Sequence, residues 1–266
     1  MKKWNSASGK RVRAHLHLPL IAAVAVAAGL ASFAYAHGST LAGLRVAIMN
    51  HMTSAVAAVS PPQNATRQLN VPFRKQEHAL SCEMASLRSA LETVGVKVAE
   101  SELLKQLAKD PTPKKYVSRT AFTWGNPDRG FVGNVDGRMP STGYGVHAPP
   151  VADLAARYAV ATRIKSNDAV ALASALDAGH PVIVWSVIGS RPRSTTWKTP
   201  DGTTIKAAYY EHTLVVSGYR RGTDGSIASV IVVDPKTGVR EESWKDFVWR
   251  TGFLDHQAIE IAPKES

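Results

Sequence analysis

The sequence holds one cysteine, Cys82, in 266 residues. That excludes an internal disulfide framework, an iron–sulfur cluster and a multi-cysteine zinc site within one chain. Acid is missing from residues 1–70, which carry seven Lys/Arg. No G-x-x-x-x-G-K-[ST] run occurs, so a phosphate-binding P-loop is excluded. Internal repeats are absent as well. What is present is ordinary: 44% hydrophobic, 20% charged and 7% aromatic. That composition argues against wholesale disorder and supplies a core for one large or two small domains.

The formal charge is +11. Such a balance first suggests a nucleic acid or an anionic surface as partner. Outside residues 1–70, however, 25 Lys/Arg face 21 Asp/Glu. Most of the excess sits at the N-terminus, so no nucleic-acid partner is expected.

Residues 1–36 carry Lys2, Lys3, Lys10, Arg11 and Arg13, followed by the uncharged run Leu18–Ala36. A basic flank, an apolar run and small residues at Ala34 and Ala36 fit a secretory signal peptide. The same run is long enough to remain as a membrane anchor. Either reading places the rest of the chain outside the cytoplasm, secreted or anchored to the membrane. Residues 37–66 read as a linker or stalk that closes on Ser60-Pro61-Pro62.

Residues 67–266 fit one domain. Met84, Leu87, Leu91 and Val94 form one apolar stripe, which predicts a helix over Cys82–Val94 with Ser81 as its N-cap. Glu83 falls in its first turn, where negative charge suits the helix dipole. Shorter helices are expected over Glu102–Ala108, Val151–Tyr158, Asp168–Ala178 and Trp244–Trp249. Strands are expected over Gln68–Pro72, Pro181–Ile188, Thr203–Ala207, His212–Tyr219, Ile227–Val233 and Gln257–Ile261. Helices first and strands later indicate an α+β fold with an antiparallel sheet.

Four residues form a candidate catalytic set. Cys82 opens a helix, where exposed N–H groups would lower its pKa; alternatively it is a packed core thiol. Gln76, six residues earlier in a polar loop, carries an amide that can donate to an oxyanion beside the Cys82 N–H. His212 opens a strand 130 residues after Cys82, the order and separation of a papain-type nucleophile and base. Asp234 ends the following strand, where it either orients His212 or only begins the Asp-Pro-x-x-Gly turn. His147 and His180 lack metal-ligand spacing and read as structural, so no metal and no cofactor is expected. The glycine-rich segment Trp124–Tyr144 is expected to border the cleft. Within it Trp124, Gly125 and Tyr144 are candidate substrate contacts.

At these residues the sequence resembles the C39-like papain-like cysteine peptidases, stand-alone relatives of bacteriocin-processing peptidases. The matching stretches are Leu69-Asn70-Val71-Pro72, Gln76, and Leu80-Ser81-Cys82-Glu83. Trp124-Gly125-Asn126-Pro127, Gly143-Tyr144-Gly145-Val146, and His212 through Tyr219 with Asp234-Pro235 complete them. The resemblance implies a papain-like fold with N-terminal helices packed on an antiparallel sheet. It also implies Cys82 as nucleophile, His212 as base, Asp234 as the orienting acid and Gln76 in the oxyanion hole. The expected function is an extracytoplasmic cysteine peptidase or amide hydrolase acting on a peptide or protein substrate. Two alternatives stay open: a non-catalytic cell-surface binding module on the same fold, and an acyl-transfer or deamidating enzyme. Substrate and oligomeric state are not set by the sequence.

Overall fold

The computed structural model describes residues 66–265. The expected signal or anchor segment, and all but the last residue of the linker, lie outside the described residues. Among the described residues no helix is long and apolar enough to cross a membrane.

A seven-stranded sheet organises the fold, and every strand pair in it is antiparallel. Its strands are β1 (Thr66–Gln68), β7 (Val160–Lys165), β8 (Val182–Val187), β11 (Glu211–Arg221), β12 (Ile227–Asp234), β13 (Gly238–Ser243) and β14 (Gln257–Ala262). They run in the order β13-β12-β11-β8-β14-β7, and β1 extends the β8 side of β11. Gly218 is required at that junction, because a Cβ there would run into the Arg67 carbonyl.

Both faces of the sheet are covered, which explains why its central strands are near-continuous β-branched runs. On β8, Ile183, Trp185 and Val187 join one core, while Val182 and Val184 join another. Strand side chains alternate between faces, so each residue of Val-Ile-Val-Trp-Ser-Val finds a buried place. The first core is covered by α1 (Cys82–Thr93), α2 (Glu100–Gln106) and α3 (Ala148–Ala155). The second is covered by α4 (Ala169–Asp177) and α5 (Trp244–Gly252). Two small sheets complete the described chain. One orders β10 (Thr204–Tyr209), β9 (Arg193–Lys198), β4 (Phe122–Thr123) and β3 (Lys115–Tyr116). The other orders β2 (Lys109–Asp110), β5 (Phe131–Gly133) and β6 (Gly143–Gly145).

The expected stripe on α1 is present. Met84, Leu87 and Leu91 are fully buried in the first core. A 12-residue helix is marginal in isolation. Burial of three such side chains, at roughly 1.5–3 kcal/mol each, is what holds it.

Several boundaries differ from the sequence expectation. Helix α3 starts at Ala148 rather than Val151, because Pro149 and Pro150 fall in its first turn, where a missing N–H costs no helical bond. Strand β1 ends at Gln68, where pairing to β11 stops. Strands β7, β9 and β13 were not anticipated. Their alternating polar sequences, such as Val-Ala-Thr-Arg-Ile-Lys in β7, suit strands with one exposed face.

Candidate active site

Strand β11 is longer than its neighbours, and this creates the site. It pairs with β8 through Glu211–Val216, but with β12 only from Val215 onward. Its first residues therefore have no strand beside them on the β12 side. Helix α1 takes that place. The Ser86 hydroxyl donates to the Thr213 carbonyl at 3.1 Å, and the Thr213 N–H hydrogen-bonds the Cys82 sulfur. The nucleophile candidate thus lies along the strand edge, next to the backbone of the residue that follows His212. Alternation sends the Glu211 and His212 side chains to opposite faces there.

On one side stands an imidazole–carboxylate pair. His212 Nε2 lies 2.8 Å from Asp234 Oδ1, and both residues are buried. Among the described residues, Nδ1 of His212 makes no hydrogen bond. Asp234 also accepts the Lys236 N–H at 2.8 Å through the same oxygen, so it orients the ring and begins the turn together. Burial pushes its carboxyl up, but the His212 bond and charge outweigh this and hold it at about 2.

On the other side stand two carboxyls that sequence reasoning did not place in the site. The Cys82 thiol donates to Glu83 Oε2 at 3.4 Å. Glu83 Oε1 accepts the Val146 N–H at 2.8 Å, and the Thr213 hydroxyl donates to Glu211 Oε1 at 3.2 Å. One ligand atom from each of Cys82, Glu83 and Glu211 lies within 4.8 Å of the others, and all three residues are buried. Gly145 makes room for them. Its φ is +128°, and a Cβ would stand 2.5 Å from Glu83 Oε1 and 3.2 Å from Glu211 Oε2.

Glu83 lies in the first turn of α1 as expected, but it is buried, and burial raises its carboxyl to about 7. The helix start does not lower the Cys82 pKa. Burial pushes the thiol well up, and the negative charges of Glu83 and Glu211 push it further. Cys82 is only 5% exposed. A signal did exist in the sequence: an acidic residue directly beside a lone thiol, and a second directly beside the histidine.

The loop carrying Gln76 is fixed from three sides. Its backbone N–H donates to the Pro235 carbonyl at 3.1 Å, next to Asp234. Leu80 N–H donates to Val135 O at 2.8 Å, and His78 pairs with Asp136 at 2.9 Å. Glu100, fully buried, accepts the Glu77 N–H at 3.0 Å. Gln76 Nε2 donates to His78 O and Ala79 O at 2.7 and 3.0 Å, and its buried Oε1 has no partner among the described residues. Ser81 precedes α1 as expected, but its hydroxyl accepts the His78 N–H instead of capping the helix.

Segment Trp124–Tyr144 contains β5 and the start of β6, and its residues Val135 and Asp136 hold the Gln76 loop. Trp124 and Tyr144, placed against substrate by the sequence reading, are 2% and 1% exposed. They pack around Trp197 at ring separations of 5.7 and 5.1 Å, and Gly125 O accepts the Trp197 indole N–H at 2.8 Å. The three belong to a buried cluster around Trp197. His147 and His180 each pair with one carboxylate, Asp128 at 2.9 Å and Glu260 at 2.7 Å.

Helices packed on an antiparallel sheet, with a cysteine opening the helix beside the strand that bears a carboxylate-held histidine, define an α+β papain-like fold. The family follows from the comparison of sequences: the Peptidase_C39 like family matches residues 68–253, and the chain belongs to it. Among solved structures, a Bacillus anthracis protein described as a C39-like peptidase is 26% identical, with a TM-score of 0.62 over 76% of this chain and all of that one. The peptidase domain of Streptococcus ComA, a bi-functional ABC transporter of a quorum-sensing pathway, is 17% identical, with a TM-score of 0.43 over 73% of this chain and all of that one. A double-glycine-motif protease from an AMS/PCAT transporter, solved with its leader peptide, is 17% identical, with a TM-score of 0.42 over 76% of this chain and 99% of that one. No curated protein sequence matches.

Proposed function

We propose that the chain is an extracytoplasmic cysteine peptidase or amide hydrolase with Cys82, His212 and Asp234 as its triad. The observation that supports this most is the buried His212–Asp234 pair, which leaves Nδ1 bare at the strand end where Cys82 is seated. His212 takes the proton of the Cys82 thiol as the sulfur attacks the substrate carbonyl carbon. The Cys82 N–H receives the oxyanion, joined by the Gln76 amide once Nε2 exchanges one of its bonds to His78 O and Ala79 O for it. His212 protonates the departing amine. It then takes a proton from the water that releases the acyl group. Asp234 fixes the tautomer and stabilises the charged ring. Export is supported by residues 1–36, with 37–66 as spacer and 67–266 as the catalytic domain.

The test is stoichiometric labelling of the full chain by a thiol-directed peptidyl electrophile, with Cys82→Ala as control. Label on the wild type alone supports the nucleophile; no label on either removes it. Digestion of a peptide library would then define the substrate. The seclusion of Cys82, whose thiol is bonded to Glu83, favours a second reading as a binding module on the same fold. An intact library together with an unlabelled wild type would select that reading.

A further inference from the structure

One buried acid has no part in the triad. Glu100 is the first residue of α2 and is fully buried. An acid at a helix start ordinarily stands in solvent, where it complements the dipole or bonds the helix's own N–H groups. The Glu100 carboxyl bonds none of those groups among the described residues. It reaches instead to the loop before α1, where Oε1 accepts the Glu77 N–H at 3.0 Å. Oε2 is buried and makes no hydrogen bond among the described residues. Burial pushes the carboxyl up, while the Ser81 hydroxyl and the Glu77 N–H favour its charged form. An acid held this way costs stability that an apolar side chain of the same volume would not. Such a cost is tolerated where it serves a site.

The two groups it acts on stand at the two ends of the loop. Glu77 directly follows Gln76, and Ser81 directly precedes Cys82. Between them the loop folds back on itself. The Ser81 hydroxyl accepts the His78 N–H at 3.1 Å, and Gln76 Nε2 bonds the His78 and Ala79 carbonyls. From this geometry we infer that Glu100 is a positioning residue of the oxyanion site. It ties the Gln76 loop to the start of α1 and so keeps the Gln76 amide within reach of the Cys82 N–H. The inference rests on those two groups being the oxyanion donors. Glu100 touches no substrate and moves no proton; it acts through Gln76.

The physical reason is how the two donors are held. The Cys82 N–H belongs to α1, which the first core fixes. The Gln76 amide sits on a side chain in a loop. Backbone bonds to Pro235 and Val135 hold Gln76 and Leu80. The side-chain pairs His78–Asp136 and Glu77–Arg88 lie at the surface, where such pairs hold little. Glu100 supplies the tie from beneath. Its bond to Glu77 joins an N–H to an acidic oxygen away from water, where such a bond is strong. Oxyanion donors lower a barrier when they are in place before the charge develops. A loop freed from Glu100 would leave the Gln76 amide to find its place during the reaction.

The experiment is steady-state hydrolysis, by the full chain, of a peptide from the library digestion, with Cys82 alkylation by iodoacetamide measured beside it. Alkylation forms no oxyanion, so it reports the thiol without the Gln76 amide. Glu100→Leu is expected to lower kcat about tenfold, with KM and the alkylation rate nearly unchanged. Glu100→Gln keeps an oxygen for the Glu77 N–H and is expected to recover most of that loss. In the Gln76→Ala background, Glu100→Leu is expected to cost less than about twofold, because the donor it places is gone. Should Glu100→Leu fail to fold, Glu100→Asp decides the matter. One methylene shorter, it is expected to lower kcat about threefold at an unchanged alkylation rate. The proposal is overturned by an unchanged kcat in these variants, by a parallel loss of kcat and alkylation, or by a full additive loss on top of Gln76→Ala. Failure of the underlying reading looks different: Gln76→Ala would itself leave kcat unchanged.

Discussion

Asp234 grips His212 through Nε2 at 2.8 Å in the protein interior, where neither side chain is more than 4% exposed. The opposite ring nitrogen, Nδ1, is thereby left without a hydrogen bond among the described residues. Asp234→Asn keeps the shape and removes the charge. It is expected to lower kcat on the order of 10³-fold or more, with the fold intact by circular dichroism. A loss under tenfold would mean that Asp234 serves only the turn, where it accepts the Lys236 N–H.

Gln76 sits one hydrogen bond from the end of β12, through Pro235. If its amide receives the oxyanion, the charge it meets exists only in the transition state. Gln76→Ala is then expected to lower kcat by roughly 10²-fold and leave KM nearly unchanged. Steady-state kinetics on a peptide from the library digestion would show this, and an effect confined to KM would assign Gln76 to ground-state binding.

Gly145 is a steric requirement of the carboxyl pair. Gly145→Ala places a Cβ against Glu83 and Glu211 at a φ that favours glycine. We expect a loss of about 1–3 kcal/mol, read as a lowered thermal midpoint. An unchanged midpoint would show that β6 yields easily at this point.

The Glu83 carboxyl makes stability depend on pH in a definite direction. Its folded pKa is raised to about 7 from an ordinary 4.5, because burial disfavours the charge. Its stabilising share is therefore complete below about pH 4.5 and is lost as pH rises through 7, on the order of 3 kcal/mol in all. Glu83→Gln cannot ionise. Denaturant midpoints between pH 5 and 8 should fall less steeply in that variant than in the wild type. Parallel curves would place the titration elsewhere.

Much of this was legible because it is written in local patterns. The stripe Met84–Leu87–Leu91 and the β-branched runs of β8, β11 and β12 report burial directly, and burial decided those elements. Cys82, His212 and Asp234 could be located in the same way, since each lies at or next to the end of an element that pattern reveals, whereas Gln76 lies in a loop. What failed was chemistry set by distant partners. The spacing of His147 and His180 gives no sign of Asp128 and Glu260, which the fold brings to within 2.9 Å and 2.7 Å. Position on a helix suggested an acidic thiol at Cys82, but burial and two carboxyls outweigh the dipole. Glu83 was read by its turn of helix, whereas its surroundings are set by β6 and β11.

The bare edge at the start of β11 has a further consequence for assembly. That edge exists only after β11 has paired with β8 and β12 has stopped short of it, and α1 docks there across 127 positions of sequence, from Ser86 to Thr213. A chain emerging from its N-terminus makes the cysteine first and the strand that receives it much later. Until then Cys82 lacks the Thr213 N–H. A chain halted before β12 would carry the thiol but not the carboxylate that holds His212.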